Sequence, residues 1–323
     1  MKRLQTIAAP EQRAPSLRRR YFPMGYALEI VTNSPDAISA ANTIWNRFEQ
    51  LSDASPVRLR IDVSQSDALL APIRVVPCHF GHLLAIVQGP ENFGIADMVA
   101  GYGVISVSRD VAQNPSWFIY HFLEPLACVL LGARHFTMLH AACVALDGKA
   151  VLLSGPSGAG KTCLSYACAL RGWHFITGDA SHLVRDSPEA TIIGRPFSIR
   201  FRDSAKSMFP SLDRYHARLR PNGKRDIEID TGELRLRTAL HAPAALIVFL
   251  NRMPDAIQPG FDFVSRDEAR SLLSDSICFG DEFCRAEQAK AMERLLDLPL
   301  LRLTYSDPFG AEALLRSALE GGV

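Results

Sequence analysis

The chain is expected to be an α/β protein, with a phosphate-loop domain behind a smaller α+β domain. Three observations predict this. Residues 155–162 read Gly-Pro-Ser-Gly-Ala-Gly-Lys-Thr, the pattern G-x-x-x-x-G-K-[ST]. An apolar run, Lys149–Ser154, reads as a strand before it, and Cys163–Leu170 reads as a helix after it, closed by Arg171-Gly172. Strand-like and helix-like runs alternate along the 323 residues with no internal repeat.

Residues 1–20 read as a flexible tail, with Lys2, Arg3, Arg13, Arg18, Arg19 and Arg20 as its basic cluster. Residues 21–112 read as an N-terminal α+β domain. Tyr26–Val31 is its first strand. Pro35–Leu51 is a helix, with Ile38, Ala41, Ile44, Trp45 and Phe48 at helical spacing. Val57–Val63, Ile73–Val76, Leu83–Gln88 and Val104–Val107 follow as strands, punctuated by Gly81, Gly89 and Pro90.

Residues 113–323 read as the second domain. Asn114–Ala133 is a helix leading into it. Phe136–Leu146 and Lys149–Ser154 form a hairpin on an Asp147-Gly148 turn. Beyond the loop helix, strands are expected at Trp173–Thr177, Ser181–Val184, Ala190–Ile193 and Phe197–Phe201. Residues 202–226 are polar and broken and read as a mobile loop. Ala244–Leu250 is a fully apolar strand, Arg266–Asp275 and Asp281–Leu296 are helices, Leu300–Thr304 is a strand, and Pro308–Leu319 is a terminal helix.

Composition narrows the classes. Hydrophobic residues make up 48% and charged residues 21%, a globular balance, and the length suffices for two domains. A net charge of +1 gives no global field for nucleic acid or an anionic membrane, so neither is expected as a partner. The longest apolar runs, Pro125–Ala133 and Ala242–Leu250, are core-sized rather than the ~20 residues that cross a bilayer. Seven scattered cysteines without a C-x-x-C pair argue against a disulfide framework or a zinc ribbon. Cys163 and Cys168 fit as small apolar residues of the loop helix, and His79 with His82 lacks the company of a metal site. A cytoplasmic, reduced protein is the expectation.

The loop carries the chemistry. Its glycines admit backbone angles that other residues avoid, and its amides and the following helix N-terminus point positive dipoles at an anion. Gly155, Pro156, Ser157, Gly158, Ala159, Gly160, Lys161, Thr162 and Cys163 are therefore the expected nucleotide-binding set. Lys161, expected on a solvent-facing loop, reaches the β- and γ-phosphates, and the Thr162 hydroxyl ligates Mg²⁺. The competing reading is a plain strand–turn–helix connection.

Other residues extend the pattern. Leu139-His140-Ala141 opens the hairpin, and Arg171-Gly-Trp-His-Phe-Ile-Thr-Gly-Asp179 follows the loop helix. This order resembles the catalytic domain of the HPr kinase/phosphorylase family over roughly residues 134–200. There, L-H-G on a strand, a hairpin, the phosphate loop, a helix ending at R-G and a strand ending in Asp-Asp follow in sequence. The resemblance is to its divergent members, and it implies a phosphate-loop kinase domain related in outline to the phosphoenolpyruvate carboxykinase nucleotide-binding fold. Here the acid pair reads Gly178-Asp179, and the region of the family's E-x-R-G signature reads Arg200-Phe-Arg-Asp-Ser-Ala-Lys206.

The resemblance implies ATP and Mg²⁺ as cofactors and phosphoryl transfer to a hydroxyl, with a peptide or protein serine favoured as acceptor. It casts Asp179 as metal ligand or base and His140 as a group near the γ-phosphate. The bland readings are a cap for Asp179 and a structural histidine for His140. Arg195, Arg200, Arg202, Lys224 and Arg225 are candidate phosphate cations, each also readable as a solvated surface charge. Asp203 is a second candidate metal ligand. His182 reads as a surface residue, and Trp173 and Phe175 read as core. A kinase of a small metabolite or sugar, and a non-catalytic nucleotide switch with a partner-binding N-terminal domain, are the alternatives. A homo-oligomer is compatible with either.

Overall fold

The computed structural model describes residues 16–66, 76–253, 258–274 and 282–321. The chain divides into two compact units, Met1–Arg134 and His135–Val323.

The first unit builds, among the described residues, a seven-stranded sheet. Its strands are β1 (Leu17–Tyr21), β2 (Leu28–Thr32), β3 (Val57–Val63), β4 (Val76–Phe80), β5 (Leu83–Val87), β6 (Phe93–Asp97) and β7 (Tyr102–Val107), in the order β1-β2-β3-β7-β6-β5-β4. β2, β3 and β7 run parallel, and the flanking pairs are antiparallel. Residues 17–20, expected in a tail, belong to β1, because Leu17–Tyr21 pairs in full with Leu28–Thr32. Residues 1–15 of that tail and residues 73–75 of an expected strand lie outside the described residues. Helix α1 (Pro35–Trp45) stops six residues short of its expected end.

The expected domain boundary at residue 112 is displaced. The helix α2, Pro115–Arg134, lies in the first unit. It packs on the sheet where the strands carry glycine: a Cβ on Gly94 would stand 2.9 Å from Leu126 Cδ2, and one on Gly103 would stand 3.3 Å from Leu130 Cδ1. By length and composition this helix, with a mean hydropathy of 1.3, is long enough to cross a bilayer, which the expectation of core-sized runs did not include. Half of it is buried within the chain.

The second unit centres on a nine-stranded sheet among the described residues. β8 (Phe136–Leu139), β9 (Ala141–Leu146), β10 (Lys149–Ser154), β11 (His174–Thr177), β12 (Ser181–Val184), β13 (Thr191–Ile193) and β17 (His241–Arg252) lie in the order β11-β9-β10-β17-β13-β12-β8. β19 (Leu300–Tyr305) pairs with β17, and β18 (Gly260–Phe263) pairs with β19. β9 is buried along its whole length, as suits a strand covered on both faces. Ala141, Cys143 and Ala145 face a layer holding α4 (Arg266–Ser274) and α5 (Glu282–Leu295). Ala142, Val144 and Leu146 face α3 (Lys161–Leu170) and α6 (Pro308–Gly321).

Two expectations are corrected here. The strand expected at Phe136–Leu146 is two strands that break at His140. β8 pairs with β12, whereas β9 turns into the hairpin with β10, and Ser181 Oγ donates to Ala141 O across the break at 2.9 Å. Asp147 (φ 49°) and Gly148 (φ 78°) supply the two left-handed residues of the tight turn. The stretch 202–226, expected as a mobile loop, is packed. Phe209 and Leu212 are buried with Tyr166 of α3, Phe201, Ile227 and Ile229. Its end enters β16 (Arg225–Asp230), which pairs with β14 (Ser198–Phe201) and β15 (Arg218–Leu219) in a small sheet. Sparse aromatic anchors between charged residues hid this from periodicity.

Candidate functional site

The loop 155–160 leaves the end of β10 and enters α3 at Lys161. Gly158 and Gly160 both hold φ 93°, in the left-handed region that glycine alone adopts without strain. Gly160 has a second reason to be glycine, since a Cβ there would collide with Tyr305 Oη. Tyr305, at the end of β19, donates to Ala159 O at 2.9 Å. Its hydroxyl is buried, and burial, opposed by Arg252, pushes its pKa well up, so it stays a neutral donor.

Lys161 is not the solvent-facing side chain expected. It is 7% exposed, and its Nζ donates to Gly155 O at 2.6 Å and Pro156 O at 3.3 Å. The ammonium lies within the curl of the loop because the carbonyls there face inward and need a donor. Burial lowers its pKa, Asp179 opposes that, and Arg202 adds to it. Thr162 Oγ1 donates to Gly178 O at 3.3 Å, which ties the start of α3 to the turn after β11. Cys163 is half-buried, and its thiol pKa is raised by burial against the opposing field of Arg252.

Asp179 sits in that turn, with a side chain 74% exposed, and its Oδ1 lies 3.6 Å from His140 Nε2. His140 is itself exposed, placed by the break between β8 and β9. A carboxylate and an imidazole from two strand ends thus meet in an accessible position. Gly178 is not demanded by packing. A Cβ there would be 3.5 Å from Phe175 Cζ and 3.9 Å from Thr162 Cγ2, ordinary contacts.

The candidate cations separate. Arg202 Nη2 donates to Ser157 Oγ at 2.7 Å, so it touches the loop. Arg200 pairs with Glu228 at 3.0 Å and Asp203 with Lys206 at 2.9 Å. Arg225 donates to Ala217 O at 3.1 Å, and the Lys224 amide is held by Asn222. Arg195, readable as a surface charge, lies largely inside, and burial first, then Arg200, lowers its pKa to about 10 against Glu228. His182, expected at the surface, is buried between β8 and β13. Its pKa falls to about 4 through burial, a hydrogen bond with the Ile193 backbone opposing. Trp173 and Phe175 are fully buried, and Trp173 Nε1 donates to Glu312 Oε1 at 2.7 Å.

Beside the loop opens a groove of about 470 Å³, lined by Pro156, Ser157, Gly158, Ala159, Leu250, Asn251 and Arg252. Asn251, Arg252 and Tyr305 were not singled out in the sequence. The first two could have been, because they directly follow the apolar run that became β17. Tyr305 lies more than 140 positions from the loop and carries no local signal.

Thr162 and Asp179 carry donors of the kind a hard cation takes, one hydroxyl and one carboxylate. Thr162 Oγ1 is bonded to the residue that precedes Asp179, so both groups belong to one turn-and-helix junction. Among the described residues no cluster of three or more His, Cys, Asp or Glu side chains forms a metal cage. His82 Nε2 lies 3.8 Å from Asp97 Oδ2, and the side chain of His79 lies outside the described residues.

No family model matches the chain, and no curated protein matches it. Among solved structures there is a likeness to the Hpr(Ser) kinase/phosphatase from Coxiella burnetii, with 17% identity over 56% of this chain and 94% of that chain and a TM-score of 0.29. The likeness is too low to carry a statement about fold or activity.

Proposed function

We propose that the second unit is an ATP- and Mg²⁺-dependent phosphotransferase that delivers the γ-phosphoryl group to a hydroxyl, a serine of a peptide or protein being the favoured acceptor. The observation that carries this is the junction of loop and strand ends: Lys161 inside the 155–160 curl, with Thr162 bonded to the Gly178-Asp179 turn. The order of L-H-A, hairpin, loop, R-G and strand-end acid supports the choice of acceptor class.

In this reading the loop amides and the N-terminus of α3 hold the β-phosphate. Lys161 releases the loop carbonyls for the β/γ oxygens, and Arg202 exchanges Ser157 for a phosphate oxygen. Thr162 would hold Mg²⁺, which supplies charge neutralisation on the phosphates, and Asp179 would serve either as a second metal ligand or as the base. The acceptor oxygen attacks the γ-phosphorus in line, the bond to the β–γ bridging oxygen breaks, and ADP departs. As the base, Asp179 takes the acceptor's proton, and its neighbour His140 steadies the carboxylate while it is charged. The exposure of both side chains gives an acceptor access.

A second reading has one observation in its favour. With Gly178 in place of an acid, one carboxylate serves this turn, which suits a nucleotide switch with slow turnover. The two are separated by incubating the protein with labelled MgATP, with and without serine peptides and small hydroxyl compounds. Label moving to an acceptor supports the transferase, whereas acceptor-independent hydrolysis alone supports the switch. Binding is read first: at a hundredfold excess over Kd a ligand adds about 2.7 kcal/mol, and the melting temperature should rise by several degrees. No shift with millimolar ATP, GTP or their diphosphates would overturn the nucleotide reading, and EDTA should shrink the shift.

A further inference from the structure

One guanidinium at the loop has no part in the reading above. β17 is the parallel neighbour of β10, pairing Leu152 with Ile247 and Ser154 with Phe249. Their C-terminal ends therefore open on the same side of the sheet, where ligands of open α/β sheets bind. In many phosphate-loop proteins the neighbouring strand carries an acid for the metal ion. Here β17 ends in Asn251-Arg252, and both residues line the groove beside the loop. The Arg252 stem is close to the loop as well, its Cδ lying 3.4 Å from where a Cβ on Gly160 would stand.

What Arg252 lacks is an anion. Among the described residues it forms no ion pair, and its Nη2 donates to Met208 Sδ at 3.2 Å. A thioether is a weak acceptor for a charged donor. Arg200, by contrast, would have to leave Glu228 to reach any ligand. Lys161 is occupied by two loop carbonyls. Arg252 is thus a cation that can take up an anion in the groove while giving up little.

We propose that the Arg252 guanidinium is a direct phosphate ligand, leaving Met208 for the β- or γ-phosphate of the nucleotide held by residues 155–162. The assignment rests on the nucleotide reading. Lys161, Arg202 and Arg252 would then surround the phosphates with three side-chain cations. A fork of N–H donors suits two non-bridging oxygens at once, and such charge-assisted bonds are roughly twice as strong as neutral ones.

The test uses the full chain and its Arg252→Gln and Arg252→Lys variants. Calorimetry measures binding of MgATP, AMP and inorganic tripolyphosphate, and the melting temperature of the ligand-free proteins is recorded in parallel. Arg252→Gln should weaken MgATP and tripolyphosphate roughly ten- to hundredfold while AMP binding is little changed. Arg252→Lys should recover part of the loss, as a point charge without the fork. Unchanged tripolyphosphate and MgATP affinity in Arg252→Gln overturns the proposal and leaves the nucleotide reading standing. Equal loss for AMP and MgATP, or a loss matched by a fall in the ligand-free melting temperature of both variants, makes Arg252 a structural residue and also overturns it. A parent protein that binds neither MgATP nor tripolyphosphate overturns the nucleotide reading, and this proposal with it.

Discussion

Gly160 and Tyr305 form a pair whose energetics can be worked out in advance. Gly160→Ala meets two costs. The first is the left-handed backbone at φ 93°, about 1–2 kcal/mol for an L-residue. The second is collision with Tyr305 Oη, on a ring that is 1% exposed and cannot swing away. Forcing it aside breaks its bond to Ala159 O and overpacks the site, adding about 2 kcal/mol. The single substitution should therefore cost about 3–4 kcal/mol. Tyr305→Phe alone loses one hydrogen bond, about 1 kcal/mol. The double variant has no hydroxyl to strike, so its cost should fall below the sum of the singles by about 2 kcal/mol. Gly158→Ala is the control, with the same φ of 93° and nothing within 4 Å of the added methyl. It should cost about 1–2 kcal/mol, from the backbone alone. Urea unfolding of the four variants and the parent measures all terms. If Gly160→Ala costs no more than Gly158→Ala, or if its effect adds to that of Tyr305→Phe within about 0.5 kcal/mol, the tyrosine does not shape the loop.

Three further outcomes are expected. Lys161→Ala should lower phosphoryl transfer by about 10²–10³, because a preorganised cation is removed from the transferring oxygens. It should also lower melting temperature measurably, since the Gly155 and Pro156 carbonyls lose their donor. Asp179→Asn should reduce transfer to an acceptor by orders of magnitude while MgATP still raises the melting temperature; equal labelling by variant and parent would make Asp179 structural and move the search for the base to His140 or Asp203. His182 gives the protein an acid-sensitive point. Burial holds its folded pKa at about 4, below the usual 6.5, so the unfolded chain binds the extra proton between those values. Its contribution is present above pH 6.5 and lost as pH falls toward 4, at most about 3 kcal/mol. Unfolding curves at pH 7 and pH 4.5 should converge in His182→Leu relative to the parent, and an unchanged difference would refute this.

Local chemistry made part of the molecule legible in the sequence. The apolar run Lys149–Ser154 and the glycine pattern stand where the spacing placed them, and the helix expected from Cys163 to Leu170 begins two residues earlier, because turn, strand and helix there are set by neighbours a few residues apart. Asp147-Gly148 specified its turn for the same reason: two left-handed residues suit a two-residue hairpin. The break at His140 was not legible, since it arises when Leu139 pairs with Ser181 while Ala141 pairs with Ser154. Nor was the order in residues 202–226, which depends on Tyr166 of α3 receiving Phe201 and Phe209 edge-on.

The sequence alone determined the glycine-rich turn between β10 and α3, because its conformation resides in a contiguous backbone. Only the tertiary structure decided what surrounds it. Tyr305 comes from more than 140 positions away to fix the loop, and Arg252 arrives on a strand whose parallel pairing with β10 no local pattern encodes. Lys161 turned inward because the loop's own carbonyls were its nearest acceptors. His182, between Ser181 and Leu183 in sequence, was buried because β12 lies between β8 and β13 and the Phe136 ring of β8 meets its imidazole edge-on. Register between distant strands sets such neighbours, and register is a property of the packed sheet.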